Sequence, residues 1–215
     1  MEQAQESQQA ASTVAREHGY PYWETEEQIR GGWVLAMQEK AEQGVTQIQH
    51  WQADQQAREG GNSNWPADMA LLAEAYGKAK RPADGLQVLT AALSFTTKTG
   101  MHYYDAELYR LKGDLLLQQY LATGCQLPRT QSHTAVAAAH VDAQTCFLNA
   151  IKIAQRQHAK SFELRATVSL ARLWQHQGKQ KEAHQMLSEI YNWFTEGFET
   201  KDLQEAKALL KELDR

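Results

Sequence analysis

Apolar positions along the chain repeat with a helical period and with a longer period superimposed on it. Gly44, Gly85, Ala143 and Ala183 each precede a large apolar residue by four, namely Ile48, Leu89, Phe147 and Leu187. Three positions further stand Trp51, Ala92, Ala150 and Ile190, completing the i, i+4, i+7 stripe of an amphipathic helix. A second landmark is an elbow in which a polar helix end meets a glycine, with an aromatic four residues later. It reads REHGYPYW (Gly19, Trp23), REGGNSNW (Gly61, Trp65) and TKTGMHYY (Gly100, Tyr104). RQHAKSF places His158 at the glycine position and Phe162 at the aromatic one, and TEGFETK has Gly197 without the aromatic. The steps from Gly19 to Gly61, from Gly61 to Gly100 and from His158 to Gly197 are nearly equal, whereas the step from Gly100 to His158 is longer. The small residues tell the same story, because Ala143 stands farther beyond Gly100 than Gly44, Gly85 and Ala183 stand beyond their own elbows. Both landmarks therefore assign the same excess to the third unit. A period near 40 is that of a helical-repeat array.

Each unit reads as helix, short turn, helix, long elbow. The first helices are expected near 24–38, 66–79, 102–120 and 161–177, and the second near 41–58, 83–98, 137–157 and 180–194. Elbow glycines suit helix C-caps, where the backbone turns left-handed. Arg16, Arg58, Lys98 and Arg156 then fall in last turns, where a cation complements the helix dipole, and Pro66 and Pro82 fall in first turns. Asp202 with Glu205 resembles a capping box opening a final helix, 202–213, whose Leu203, Ala206, Leu209, Leu210 and Leu213 face one way. The excess in the third unit lies in YLATGCQLPRTQSHTAVAAAH, where Gly124, Pro128, Thr130 and Ser132 mark a loop and AVAAA extends the next helix. Such a loop is either a tolerated surface insertion or a binding loop at the edge of the array.

Residues 3–18 read as a second helix with Val14 and several alanines on one side, lacking its first-helix partner. Natural arrays close with a polar cap, which the C-terminus has and the N-terminus lacks. The expectation is a chain that began as part of something longer, or a degraded or alternatively started version. The layout is thus a half repeat over 1–19, four repeats over 20–201 with an insertion near 121–136, and a capping helix over 202–215.

Composition agrees with helices and narrows the partners. The 215 residues include 31 Ala and 25 Gln but only 4 Pro and 13 Gly, which disfavours a sheet-rich fold. With 42% hydrophobic and 22% charged residues, the chain has material for a core. A net charge of −4 argues against nucleic acid as the main partner. There is no apolar run of about 18 residues and no signal peptide, so no membrane span is expected. Two cysteines, Cys125 and Cys146, make no disulfide framework, and a cytoplasmic location is the default.

Within the helix pairs, the first helices offer Gly32 with Leu35, Ala73 with Tyr76, Gly113 with Leu116 and Ala171 with Trp174. The separation from the first small residue to the second is identical for Gly32 and Gly44, Ala73 and Gly85, and Ala171 and Ala183. Gly113 and Ala143 are farther apart, by the excess of the third unit. This pattern is similar to the tetratricopeptide repeat, without its closing proline and with a period longer than the usual length of about 34 residues. The resemblance implies an all-α, right-handed tetratricopeptide-like helical solenoid of about four helix pairs plus a C-terminal capping helix. More narrowly, ALLAEAYGKAKRPADGLQVL, YYDAELYRLKGDLLL and SLARLWQHQGKQKEAHQML with NWFTEGFETKDLQEAKALL resemble a bacterial C-terminal tail. Such tails occur in multidomain proteins carrying a class III adenylate/guanylate cyclase domain and a STAND-type ATPase domain, and in some ATP-dependent transcriptional regulators. The resemblance spans roughly 15–213 and implies a protein-recognition or regulatory solenoid, with catalysis upstream.

No chemistry is encoded locally. GxxxxGK[ST], HExxH and CxxC are absent, and the 7, 6 and 7 spacings of Cys125, His133, His140 and Cys146 match no structural zinc pattern. No catalytic residue, cofactor or metal is expected. Of six tryptophans, Trp23, Trp51, Trp65 and Trp174 fall at core positions of the repeat. Trp33 follows the small residue Gly32, and its equivalents are Glu74, Asp114 and Arg172, with Arg110 four residues before Asp114. In tetratricopeptide arrays this position faces the concave groove. The five are therefore either a solvated face or a groove that takes a protein or peptide partner through an aromatic anchor and charge pairs. The leading expectation is a non-catalytic protein-interaction or regulatory module. The alternative is a small-effector sensor, using the groove or the insertion, which predicts a saturable Trp33 fluorescence change with a metabolite.

Overall fold

The computed structural model describes residues 2–59, 64–124 and 129–214, with side chains over 6–54, 64–122 and 137–214. Among the described residues there are ten α-helices, one 3-10 turn at His102–Tyr104 and no strand. In chain order the helices are α1 (Glu2–Glu17), α2 (Pro21–Met37), α3 (Ala41–Glu59), α4 (Trp65–Lys78) and α5 (Pro82–Thr99), then α6 (Asp105–Gly124), α7 (Arg129–Arg156), α8 (Lys160–His176), α9 (Gln180–Tyr191) and α10 (Lys201–Leu213). The chain divides into two units, Met1–Met101 and His102–Arg215. In the first, α2 packs against α1, α3 and α4, while α4 packs against α3 and α5. In the second, α6 packs against α7 and α8, while α8 packs against α7, α9 and α10.

The expected helices are all present, and the largest departure is in the third pair. There α6 continues to Gly124 and α7 begins at Arg129, so Thr130 and Ser132 lie in a helix where a loop over 121–136 was expected. The extra residues lengthen the two helices, to 20 and 28 residues. Helix extension satisfies the inserted backbone internally, and an alanine-rich run favours it. Cys125, Pro128 and the elbow glycine Gly61 lie outside the described residues, as do the side chains of Arg58 and His133.

Connections follow a backbone rule that only half shows in the sequence. The elbows turn left-handed at Gly19 (φ 66°), Gly100 (76°), His158 (55°) and Gly197 (76°), so His158 holds the conformation of the glycine it replaces. The short turns do the same at Glu39 (68°), Lys80 (57°) and Gly178 (77°). One residue later, the N–H groups of Lys40, Arg81 and Lys179 donate to the carbonyls of Leu35, Tyr76 and Trp174, at 3.1, 2.9 and 2.9 Å. This reach over five residues is a Schellman closure, which satisfies carbonyls left open at the helix end.

The small residues let paired helices approach closely. A Cβ on Gly32 would lie 2.8 Å from Ile48 Cγ1 and 2.9 Å from the Gly44 carbonyl, and one on Gly44 would overlap the Gly32 carbonyl. At Gly113 the space is filled by the ring of Phe147, which is fully buried. Gly31 exposes the backbone of α2 to glutamines on both neighbours. Gln8 Nε2 donates to the Glu27 carbonyl at 2.9 Å, and Gln47 Nε2 donates to the Gln28 carbonyl at 2.8 Å. Ile48, Leu89, Phe147 and Leu187, the expected stripe residues, have no exposed surface. In the first unit Ile29, Val45, Ile48, Leu72 and Tyr76 form one core; in the second, Leu164, Leu187, Ile190, Leu203, Leu209 and Leu213 form another.

Three expectations are corrected. Val14 faces solvent, and α1 buries Ser12 and Ala15 instead, because small residues allow the close approach at which Gln28 donates to Ser12. Trp23 is exposed, with Tyr22 edge-on to its ring. The equivalent Trp65 stacks on Phe95, and the residue six beyond Ile48 that corresponds to Phe95 is Asp54, so the matching place beside Trp23 holds no aromatic. Trp51, Trp65 and Trp174 are half-buried as the pattern expects. The capping box does not form either: Thr200 is the N-cap of α10, without a side-chain cap bond, and Asp202 and Glu205 reach across to α8.

Candidate functional site

The five candidate residues divide between the units, Trp33 and Glu74 in the first and Arg110, Asp114 and Arg172 in the second. In the first unit, Trp33 sits on α2 one residue after Gly32, and Glu74 sits on α4 one residue after Ala73. Because Gly32 and Ala73 are turned into the core, the next residue in each helix points to the side shared by α2 and α4. The Trp33 indole N–H donates to Glu74 Oε2 at 2.7 Å, a short charge-assisted bond. Trp33 also packs on the core alongside Met37 and Leu71. Both residues remain half-exposed.

Acidic side chains continue along these first helices. Glu26 and Glu27 on α2 and Asp68 on α4 are buried, at 1%, 7% and 1% exposure. Asn64 Nδ2 donates to Glu26 Oε2 at 2.6 Å, and Arg30 Nη1 donates to Glu27 Oε1 at 2.5 Å. Across residues 1–101 there are 13 acidic and 8 basic side chains, a net charge of −5; residues 102–215 have 13 and 14, a net +1. The negative charge of the chain is therefore concentrated in the first unit.

In the second unit the candidates belong to a ladder across three first-position helices. Arg110 on α6 holds Glu107 through both Nε (2.9 Å) and Nη2 (2.7 Å), and Asp114 through Nη1 (2.6 Å). Arg165 on α8 lies 3.6 Å from Glu107 and 2.6 Å from Asp202 of α10. Arg172 pairs with Glu205 at 2.6 Å. Burial alone would push the Glu107 carboxyl up, but Arg110 and then Arg165 hold it below the usual carboxylate range. Arg165 stays charged, since Glu107 and Asp202 outweigh the cost of burying it.

The partners Glu107, Arg165, Asp202 and Glu205 were not singled out in the sequence. One signal was there: Glu107 and Arg165 each stand six residues before the small residue of their helix, Gly113 and Ala171. Equivalent positions on successive first helices face each other, and here they carry opposite charge. The i, i+3 and i, i+4 spacing of Glu107, Arg110 and Asp114 was legible too.

Little points to covalent or metal chemistry. Cys146 is buried at 7% exposure beside Phe147, and burial pushes its thiol up, away from the reactive thiolate. Among the described residues no group of three or more His, Cys, Asp or Glu side chains is arranged to hold a metal. Among them, too, no helix is long and apolar enough to cross a membrane.

No family model and no curated protein matches the chain. Among solved structures it is similar to the crystal structure of nearly identical TPR-like repeats from Podospora anserina, named as a kinesin light chain. The match has a TM-score of 0.56 and 16% identity, covering 88% of this chain and 92% of that one. The likeness is one of fold: the protein is all-α, built from tetratricopeptide-like helical repeats.

Proposed function

We propose that this chain is a non-catalytic protein-interaction or regulatory module, and that the α2–α4 face of its first unit is where it holds a partner. The observation that carries this reading is the Trp33–Glu74 pair. A half-exposed aromatic, oriented by a carboxylate and backed by the core, is the composition of an interface anchor. Helical-repeat folds present such faces as extended binding surfaces. The excess negative charge of the first unit favours a basic partner segment. In the second unit Arg110, Asp114 and Arg172 are engaged with one another or with neighbours, so they serve a partner only by exchanging those pairs.

The finer assignment rests on the sequence resemblance: the chain is a regulatory tail, detached or C-terminal, of a cyclase/ATPase signalling protein acting in the cytoplasm. The test is affinity capture from the source cells with the intact chain, with Trp33→Ala and Glu74→Lys, and with Thr90→Ala on the exposed side of α5. The reading predicts one protein recovered by the intact chain and by Thr90→Ala and lost with both other variants, its sequence containing a cyclase or STAND-type ATPase domain. Recovery unchanged by Trp33→Ala and Glu74→Lys contradicts the face. A partner lost with those variants but unrelated to cyclases and ATPases contradicts only the tail assignment.

A further inference from the structure

A second feature lies apart from the first-position helices, in the second unit. The end of α7, the start of α8, the last turn of α9 and the residue beyond it enclose a pocket of about 170 Å³. Its apolar lining is Ile151, Met186, Ile190 and Trp193, and its polar lining includes Gln155, Lys160, Glu163 and Glu189. Pockets for drug-sized ligands begin at about 300 Å³, so this one is sized for a single side chain or a small molecule.

The polar groups state which charge the pocket accepts. Glu163 is 6% exposed and turned inward, accepting from Gln155 Nε2 at 2.9 Å and from Lys160 Nζ at 2.7 Å. The same ammonium stands 5.5 Å from the centre of the Trp193 ring, within cation–π range. Glu189 adds a second carboxylate to the lining. An aromatic face, a buried carboxylate and aliphatic walls are the elements that recognise a cation on a short hydrocarbon stem. Lys160 supplies that shape from within the chain. Its side chain is 29% exposed and its ion pair spans one helical turn, and pairs of that kind contribute little to stability. Trp193 itself is 57% exposed, so the ring can be reached from solvent.

We propose that this pocket is a cation site for an ammonium or guanidinium group on a short aliphatic stem, with Lys160 as its displaceable internal occupant. The group comes either from a small amine or from a basic side chain of a protein partner. When it enters, its charge takes the place of the Lys160 ammonium between Glu163 and Trp193, its stem lies along Ile151, Met186 and Ile190, and Lys160 swings into water.

The test titrates the full chain with n-butylammonium, n-butylguanidinium and, as the anionic control on a matching stem, butyrate. Methyl NMR of Met186, Ile151 and Ile190 reads the pocket walls, and tryptophan fluorescence reads Trp193 against a Trp193→Phe variant. Saturable shifts are expected with both cations and none with butyrate. Lys160→Ala should tighten binding at least tenfold by removing the competitor, while Glu163→Gln and Trp193→Leu should each weaken it at least tenfold without lowering the melting temperature of the unit by more than a few degrees. Comparing butylammonium with N-acetyl-lysine methylamide separates the sources: tighter binding of the blocked residue assigns a partner's side chain, and tighter binding of the free amine assigns a small metabolite. Absence of saturable binding in Lys160→Ala overturns the proposal, as does equal binding of butyrate or binding indifferent to Glu163→Gln and Trp193→Leu.

Discussion

Substituting Gly113 by alanine should destabilise the second unit, and the same substitution should stabilise it once Phe147 is leucine. In the wild-type protein a Cβ at 113 would lie 2.8 Å from Phe147 Cδ1 and 2.9 Å from Cζ, with Cε1 closer still. Phe147 is fully buried between α6, α7 and α8, so its ring cannot swing away without displacing Leu117, Leu170 or Leu173. Overpacking of this kind costs about 3 kcal/mol at the upper end of its usual range. Alanine in place of a helical glycine returns about 1 kcal/mol. Gly113→Ala should therefore cost about 2 kcal/mol net. In Phe147→Leu the atoms in the way are gone, and Gly113→Ala should gain about 1 kcal/mol. The coupling between the sites is then about 3 kcal/mol, at the top of what contacting residues show. Urea unfolding of the four proteins, followed by circular dichroism and tryptophan fluorescence, completes the cycle. Additive effects, with Gly113→Ala equally destabilising in both backgrounds, would refute the argument that Gly113 exists to admit the Phe147 ring.

Further outcomes follow from the same geometry. Glu107 has a folded pKa below its unfolded value of about 4.3, so the unfolded chain binds more protons on that side of neutrality. The Glu107 contribution should be fully present above about pH 4.3 and lost as pH falls below it; melting curves between pH 3 and 6 should show this slope in the wild type and a shallower one in Glu107→Gln. His158 holds a left-handed backbone at φ 55°, and His158→Gly should raise stability by about 0.5–1 kcal/mol, whereas Gly178→Ala, at φ 77° in open space, should lower it by about 1 kcal/mol. Leu187 is fully buried, so Leu187→Asp should cost about 4 kcal/mol or more and unfold the second unit; unchanged melting would contradict the register of α9.

Helix positions were legible because they rest on local signals. A small residue followed four later by Ile48, Leu89, Phe147 or Leu187 marks the one stripe that must be buried, and it marks the stripe whatever the neighbouring helix is. His158 could likewise be placed, since the left-handed turn it fills is set by its position in the repeat. What eluded the sequence depends on a neighbour. Trp23 occupies a core position of the repeat but meets Asp54 where Trp65 meets Phe95, and only comparison of two helices at once exposes the difference. Asp202 and Glu205 have the spacing of a capping box, yet Arg165 and Arg172 on α8 offer them full charges, which win over backbone N–H groups. Thr130 and Ser132 looked like loop residues because their local preference was read without the long helix into which the alanine run draws them. Within the candidate site, the position of Trp33 and Glu74 was readable from Gly32 and Ala73, whereas the bond between them required knowing that α2 and α4 lie side by side.

The claim that the α2–α4 face works by contact is tested most directly with a photo-reactive phenylalanine analogue placed at position 33, and at position 90 for comparison, in the full chain within its source cells. The account predicts one crosslinked protein from position 33, none of it from position 90, and its loss when Glu74→Lys is added. Equal crosslinking from both positions, or a crosslink from position 33 that persists with Glu74→Lys, would contradict it.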